Sequence, residues 1–409
     1  MRVVKRWAGS ANVGNSNNSR MVSATGTNNN NNANNGNRFA SDCIAIRCNT
    51  TINKSNLYTK GEIMQVIANV RNSHPVYGQN NKATVFNAVC TLQRLMEAEN
   101  RCHRGVGYKN SVARYHMLAA SKNYATLIEL QNGTYQTQKG DNFEIYEPKH
   151  RIVTSTKYKD RIPQTSFILN YFYPVVVPNL INDNYACLKG KGVDKARNKL
   201  KEMLRNAKPD DYVLKADIKD YFGSINHGII AKELSNYIKD SWALDFFANV
   251  ISANRQDVGI TLGSEINQLS AVTFLNTLDH MLEGQYVRYM DDIVFIGSRE
   301  AVTNAYKVIQ GETARLGLSI SKKKTYYQPV SRPIKFLGFT FLKHATGRIT
   351  LKRIRSKYKA EKRRLKRMKN KGVSKDRIAE HYRCVRANMM KASRADIHEL
   401  DIYYKEIMK

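Results

Sequence analysis

Cysteine is scarce and scattered, with six residues at 43, 48, 90, 102, 187 and 384, no CxxC pair and no histidine cluster. That spacing offers neither a zinc site nor a disulfide framework, so the thiols are expected to be reduced and structural in a cytoplasmic setting. Long apolar runs are missing too. No stretch approaches the length needed to span a bilayer, and no hydrophobic signal-like segment opens the chain. Acids are few: 34 stand against 66 Lys and Arg, a formal net charge of +32. Such a protein is expected to meet a polyanion, the other partner permitted by charge alone being an anionic membrane surface. What is present is enough for a large core, since 42 % of 409 residues are hydrophobic and more than one lobe is expected.

The most telling segment is YVRYMDDIVFIG, where Asp291 and Asp292 stand between Val287 and the run Ile293 to Ile296. The pattern predicts a tight β-hairpin anchored by apolar strands, with the acids at its tip. Adjacent like charges repel and call for a counter-cation, and hard carboxylate oxygens suit Mg²⁺ together with substrate phosphates. By itself the pair also fits two solvated acids in a turn. A third acid lies 74 positions upstream of Asp291: in DYVLKADIKDYFGSINH, a buried strand from Tyr212 is predicted to end at Asp217, with a helix from Asn226. Three acids so placed are what two-metal phosphoryl transfer requires. Asp220 is read as a surface residue.

Along the chain, residues 1–60 contain the run Asn28 to Asn32 and almost no apolar periodicity, so disorder is expected. Residues 61–110 form an N-terminal helical extension in this reading, with Val85, Val89, Leu92 and Met96 at helical spacing. From Arg353 to Lys371 there are eleven Lys or Arg and one acid, Glu361, which predicts a basic helix. Either a solvated face or a nucleic-acid surface fits it, and so one-sided a charge favours the polyanion.

The ordered motifs NGTYQ (132–136), FEIYEPKHRI (143–152), KDRIPQ (159–164), NYACLKGKGVDKA (184–196), LKADIKDYFGSINH (214–227), ITLGSEINQLSAVTFLNTLDH (260–280), YMDD (289–292), LSISKKKT (318–325) and KFLGF (335–339) resemble those of bacterial reverse transcriptases. The resemblance runs from about Val112 to about Leu351. It implies an α+β, right-hand polymerase fold: fingers over 111–204, an antiparallel palm with the catalytic centre over 205–345, and a short basic helical thumb over 346–409. It also implies an RNA-directed DNA polymerase that uses two Mg²⁺ ions, with Mn²⁺ as a substitute, a template RNA, a DNA or RNA primer, and deoxynucleoside triphosphates.

Carried onto this sequence, the family's roles give Asp217, Asp291 and Asp292 as metal ligands, with the Ile218 carbonyl as a further one and Asp292 the least directly involved. Lys149, Arg151 and Arg161 are expected to hold the incoming triphosphate. Phe222 is expected to pack under the sugar and exclude a 2′-hydroxyl. Leu262, Gly263 and Gln268 belong to the nucleotide site, and Leu262 replaces the Gln of retroviral enzymes. Lys324 is the candidate general acid for pyrophosphate departure. Lys189 and Lys191, in a small-residue loop, are expected at phosphates. Phe336 and Gly338 lie in a primer-grip-like hairpin, and Arg353, Arg363, Arg364 and Arg367 on the basic segment.

The first 46 residues resemble the translated template repeat of a diversity-generating retroelement, whose enzyme misreads template adenines. Asparagine codons begin with two adenines, so an Asn-rich translation is what such a template gives; a low-complexity tail is the plainer alternative. That subfamily implies an oligomeric basic accessory protein. A retron, intron-type or antiphage reverse transcriptase, or a silent RNA-binding scaffold, are the other readings. No His-Asn-His-type nuclease cluster and no RNase H residues are found.

Overall fold

The computed structural model describes residues 80–409 apart from 147–149, 255–256, 283, 390–393 and 409. The expectations for residues 1–60 and for Lys149 lie outside the described residues. The α+β class expected from the sequence is the class observed: helices surround antiparallel sheets.

Among the described residues four helices come first: α1 (Asn80–Val89), α2 (Leu92–His103), α3 (Asn110–Met117) and α4 (Ala119–Gln131). The Thr91 hydroxyl caps α2 by accepting from the Arg94 amide at 3.2 Å, satisfying one amide of the open first turn. An antiparallel hairpin follows, β1 (Asp141–Ile145) with β2 (Arg151–Ser155), and then α5 (Tyr158–Phe167) and α6 (Val193–Asn206).

The central sheet has the order β4-β5-β3-β6, all antiparallel, from β3 (Tyr212–Asp217), β4 (Tyr286–Tyr289), β5 (Asp292–Gly297) and β6 (Tyr326–Pro329). Between β3 and β4 lie α7 (His227–Ser235), α8 (Ser241–Ser252), α9 (Glu265–Phe274) and α10 (Asn276–Met281). The predicted boundary at Asn226 is a helix cap, its side chain accepting from the Ile229 amide at 3.0 Å. Helix α11 (Arg299–Arg315) leads from β5 to β6.

Both faces of this sheet are covered. Leu214, Ala216 and Ile293 enter the larger core with residues of α7, α8 and α9. Val213, Val294 and Ile296 point the other way, into a second core with Ala196, Leu200 and Met203 of α6. The alternation places Lys215 and Asp217 on the same face as Val213.

That second core is shared with a three-stranded sheet of β7 (Ile334–Phe336), β8 (Phe339–Lys343) and β9 (Ile349–Arg353). The sheet runs through residue 346, so the expected lobe boundary there falls inside a β-structure and belongs after Arg353. The basic helix α12 spans Arg355–Asn370, leaving Arg353 as the last residue of β9 rather than part of the helix. With α13 (Lys375–Met389) and α14 (Arg394–Met408) it forms a bundle around Leu365, Ile378, Met389 and Leu400. No described helix is long and apolar enough to cross a membrane.

Candidate functional site

Antiparallel register brings the acids together. Asp217, the last residue of β3, lies directly opposite Asp292, the first of β5. Tyr289 pairs with Asp292, so Met290 and Asp291 alone make the turn between β4 and β5. Met290 adopts φ +57°, a left-handed conformation that a branched or long side chain takes only under constraint. The chain after β3 runs under this tip, its Ile218 amide donating to the Asp291 carbonyl at 3.4 Å.

A short antiparallel bridge continues beyond Asp217. The Lys219 amide donates to the Ser319 carbonyl and the Ser321 amide to the Asp217 carbonyl, both at 2.8 Å, while Ile218 faces Ile320 without bonding it. The Ile218 carbonyl is thereby left outside that ladder. The Thr325 hydroxyl accepts from the Asp217 amide at 3.2 Å. This turn carries Lys324, whose ammonium donates to Asp217 Oδ1 at 2.6 Å.

The electrostatics separate the three acids. Burial, and then the charge of Asp217, hold the Asp291 carboxyl above the usual carboxylate range, with Lys324 and Lys215 opposing. Asp292 is engaged differently: its carboxylate is ion-paired with Lys215, two residues before Asp217 on the same strand face. Burial lowers the Lys215 ammonium to about 8 although Asp217 and Asp291 pull it up.

No group of three or more His, Cys, Asp or Glu side chains among the described residues is arranged to hold a metal. Asp217 and Asp291 nonetheless fit a divalent ion, because hard oxygens on mutually repelling carboxylates are what Mg²⁺ takes beside substrate phosphates. Asp292 differs from the expected third ligand: its partner is a lysine.

The described nucleotide-site candidates lie on four elements: the start of α9, β2, a single turn at Phe222, and α5. Leu262 and Gly263 precede α9, and the Leu262 carbonyl accepts from the Thr154 amide of β2 at 2.9 Å. Gly263 has φ +120°, and a Cβ there would meet the Thr154 carbonyl oxygen at 2.4 Å. Glycine is what lets the β1–β2 hairpin, with exposed Arg151, dock on this turn. Phe222 is partly buried in a single helical turn, edge-on to Tyr221 with ring centroids 5.8 Å apart. Its carbonyl accepts from the Ile260 amide at 2.8 Å, which ties it to the Leu262 segment. Gln268 Oε1 accepts from the Cys187 thiol at 3.6 Å. Arg161 lies on α5, where its carbonyl accepts from the Cys102 thiol at 3.7 Å.

Three nucleic-acid candidates are placed otherwise than expected. Phe336 is 1 % exposed, because strand alternation turns Ile334 and Phe336 inward and Lys335 outward; it is core. The hairpin turn itself is Leu337 and Gly338, with φ +43° and +89°. Arg197 of α6 fastens it, donating to the Leu337 carbonyl through Nε at 3.2 Å and Nη2 at 2.5 Å. Lys191 turns inward, its ammonium donating to the Asn182 carbonyl at 2.6 Å, and so staples its own loop. Lys189 is exposed. Arg353 lies over the Phe339 ring at 5.3 Å, with Arg197 over the same ring at 4.3 Å. On α12, Arg363, Lys366 and Arg367 line one exposed face with Ala360 and Asn370, and Arg364 is half-buried beside it.

Sequence reasoning passed over Lys215, Arg288 and Asp279. The signal for the first two is a lone cation inside an apolar strand run, in VLKAD and YVRY.

Residues 138–341 match the family model described as reverse transcriptase (RNA-dependent DNA polymerase). Two solved structures from Candida tropicalis are similar. Apo telomerase truncated from its C-terminal domain is 12 % identical over 57 % of this chain and 60 % of that one, with TM-score 0.38. Apo telomerase is 12 % identical over 72 % of this chain and 62 % of that one, with TM-score 0.41. The chain thus spans about three fifths of the length of either. No curated protein matches the sequence.

Proposed function

From the premise that residues 138–341 are a reverse transcriptase domain, we propose that this protein is an RNA-directed DNA polymerase. The observation that carries the reading is the register of Asp217 against Asp292, which sets Asp291 at a tight turn beside Asp217. Divalent ions, when bound at Asp217 and Asp291 with the Ile218 carbonyl nearby, supply charge neutralisation for the primer 3′-hydroxyl and the departing pyrophosphate. The chain's own groups do the rest. Arg151, with Lys149 and Arg161, orients the triphosphate, and Lys324, hydrogen-bonded to Asp217, gives a proton to the leaving group. The exposed basic face of α12 and Lys189 take template and primer backbone. Primer extension on an RNA template with Mg²⁺ and deoxynucleotides tests the reading, and absence of extension by folded protein overturns it.

Phe222 is the sugar gate in this account. Phe222→Ala is expected to raise ribonucleotide incorporation by about a hundredfold relative to deoxynucleotide, the loss of a steric clash that side-chain truncation removes. Equal discrimination by parent and variant in single-nucleotide extension would exclude that role.

Two features bear on the biological setting: the Asn-rich stretch from Arg6 to Ile46 and an aliphatic residue at 262. Both support a diversity-generating retroelement, in which the enzyme copies a template RNA with errors at adenines and works with an oligomeric basic accessory protein. Leu262→Gln adds a polar contact to the nascent base pair and is expected to lower misincorporation opposite template adenine by about tenfold, the worth of one neutral hydrogen bond. Sequencing of cDNA from both enzymes on one template decides it, and an unchanged error spectrum removes this support.

A further inference from the structure

Arg288, Tyr286 and Asp279 are each fully buried, and the function proposed above uses none of them. Arg288 Nε and Nη2 donate to Asp279 at 2.6 and 2.5 Å, and the Tyr286 hydroxyl donates to Asp279 Oδ1 at 2.7 Å. The guanidinium also reaches main chain: Nη2 to the Val272 carbonyl at 2.8 Å, and Nη1 to the Met290 carbonyl at 3.1 Å. Met290 is the left-handed residue of the two-residue turn, directly before Asp291. Such a conformation costs a non-glycine residue free energy and persists only where its surroundings over-determine it.

Arg288 is itself held at both ends of its backbone. Its amide donates to the Asp183 carbonyl and its carbonyl accepts from the Tyr185 amide, each at 3.0 Å. A rigid path therefore runs from the residue 183–185 segment, α9 and α10 to the peptide that carries the Asp291 backbone.

We propose that Arg288 is a positioning residue: its buried guanidinium, fixed by Asp279, holds the Met290 carbonyl and so aims the Asp291 carboxylate at Asp217. This rests on the polymerase reading, in which Asp291 touches the reacting groups. Lysine at 288 keeps a cation opposite Asp279 but lacks the planar fork, and it cannot serve Asp279, Val272 and Met290 together.

The test compares parent, Arg288→Lys, and Arg288→Lys with Met290→Gly, by melting temperature, kcat, nucleotide KM and Mn²⁺ affinity from calorimetry. Misplacing a catalytic group by about 1 Å is expected to lower kcat by about a hundredfold in Arg288→Lys, with nucleotide KM changed less than about threefold. Glycine takes φ +57° freely, so adding Met290→Gly recovers kcat by at least about tenfold. Folded Arg288→Lys extending primers at the parent rate overturns the proposal. So does a kcat loss that Met290→Gly leaves unrelieved, the mark of a merely structural pair. Should Arg288→Lys not fold, Arg288→Met with Asp279→Leu and Tyr286→Phe replaces the network by apolar side chains, and the same comparison decides. A parent that extends no primer overturns the function instead. The clamp is then judged by Mn²⁺ affinity alone, expected to weaken in Arg288→Lys and overturning the proposal if unchanged.

Discussion

Asp291→Ala is expected to reduce primer extension by at least about a thousandfold, the scale on which removal of a directly acting electrostatic group is felt. The variant should melt no lower than the parent. Burial and the charge of Asp217 both disfavour the ionised Asp291 carboxyl and outweigh the hydrogen bond from its own backbone and the pull of Lys324 and Lys215, so deleting it relieves more repulsion than it forfeits attraction. Asp292→Ala should behave in the opposite sense. Its partner Lys215 is almost inaccessible, with the side chain 8 % exposed, and losing Asp292 leaves that ammonium buried without its ion-pair partner, with only the negative charges of Asp217 and Asp291 near it. The melting temperature should fall and extension be lost less completely than in Asp291→Ala. Thermal melts and extension assays on the two single variants check both halves. If Asp291→Ala extends primers within tenfold of the parent, the placing of the reaction at this turn is wrong.

The acids were legible because their signal is local and apolar. Tyr212 to Asp217 and Ile293 to Ile296 are nearly uninterrupted apolar runs, and the structure explains why: both faces of the central sheet are buried, one against α7, α8 and α9 and the other against α6 and β7–β9. Motif order within the chain carried the α+β class. What stayed hidden depends on partners remote in space or on strand phase. Lys215 looks like an interruption in its run until register sets it diagonally across from Asp292. Arg288 resembles a surface residue until α10 presents Asp279 to it. Phe336 was assigned to primer contact by motif, but a turn at Leu337 and Gly338 fixes the strand phase that sends its ring inward. Lys191 carries its charge on a glycine-flanked loop, and only the fold shows the ammonium spent on the Asn182 carbonyl. A motif names a backbone position well and a side chain's direction poorly, because direction is settled by the neighbouring element.

Asp279→Ala is the substitution expected to cost most in stability. Both it and Arg288 are fully buried, so their mutual attraction works in a medium that screens little, and each supplies the only opposite charge bonded to the other. Truncating one partner strands the other. Arg288 would keep its bonds to Val272 and Met290 carbonyls but lose both bonds to carboxylate, and Tyr286 would lose its acceptor. Breaking a buried pair of this kind costs about 3–5 kcal/mol. For a domain of this size that is a drop in melting temperature of roughly ten degrees. An exposed pair supplies the control. Lys157 and Asp141 approach to 2.6 Å with side chains 39 % and 72 % exposed, where water does most of the solvating, so Asp141→Ala should leave the melt unchanged. Differential scanning calorimetry on the two variants separates the cases. Equal, small shifts would mean that the polar core beneath the Met290–Asp291 turn is solvated or adaptable, and that the turn is held by its strands alone.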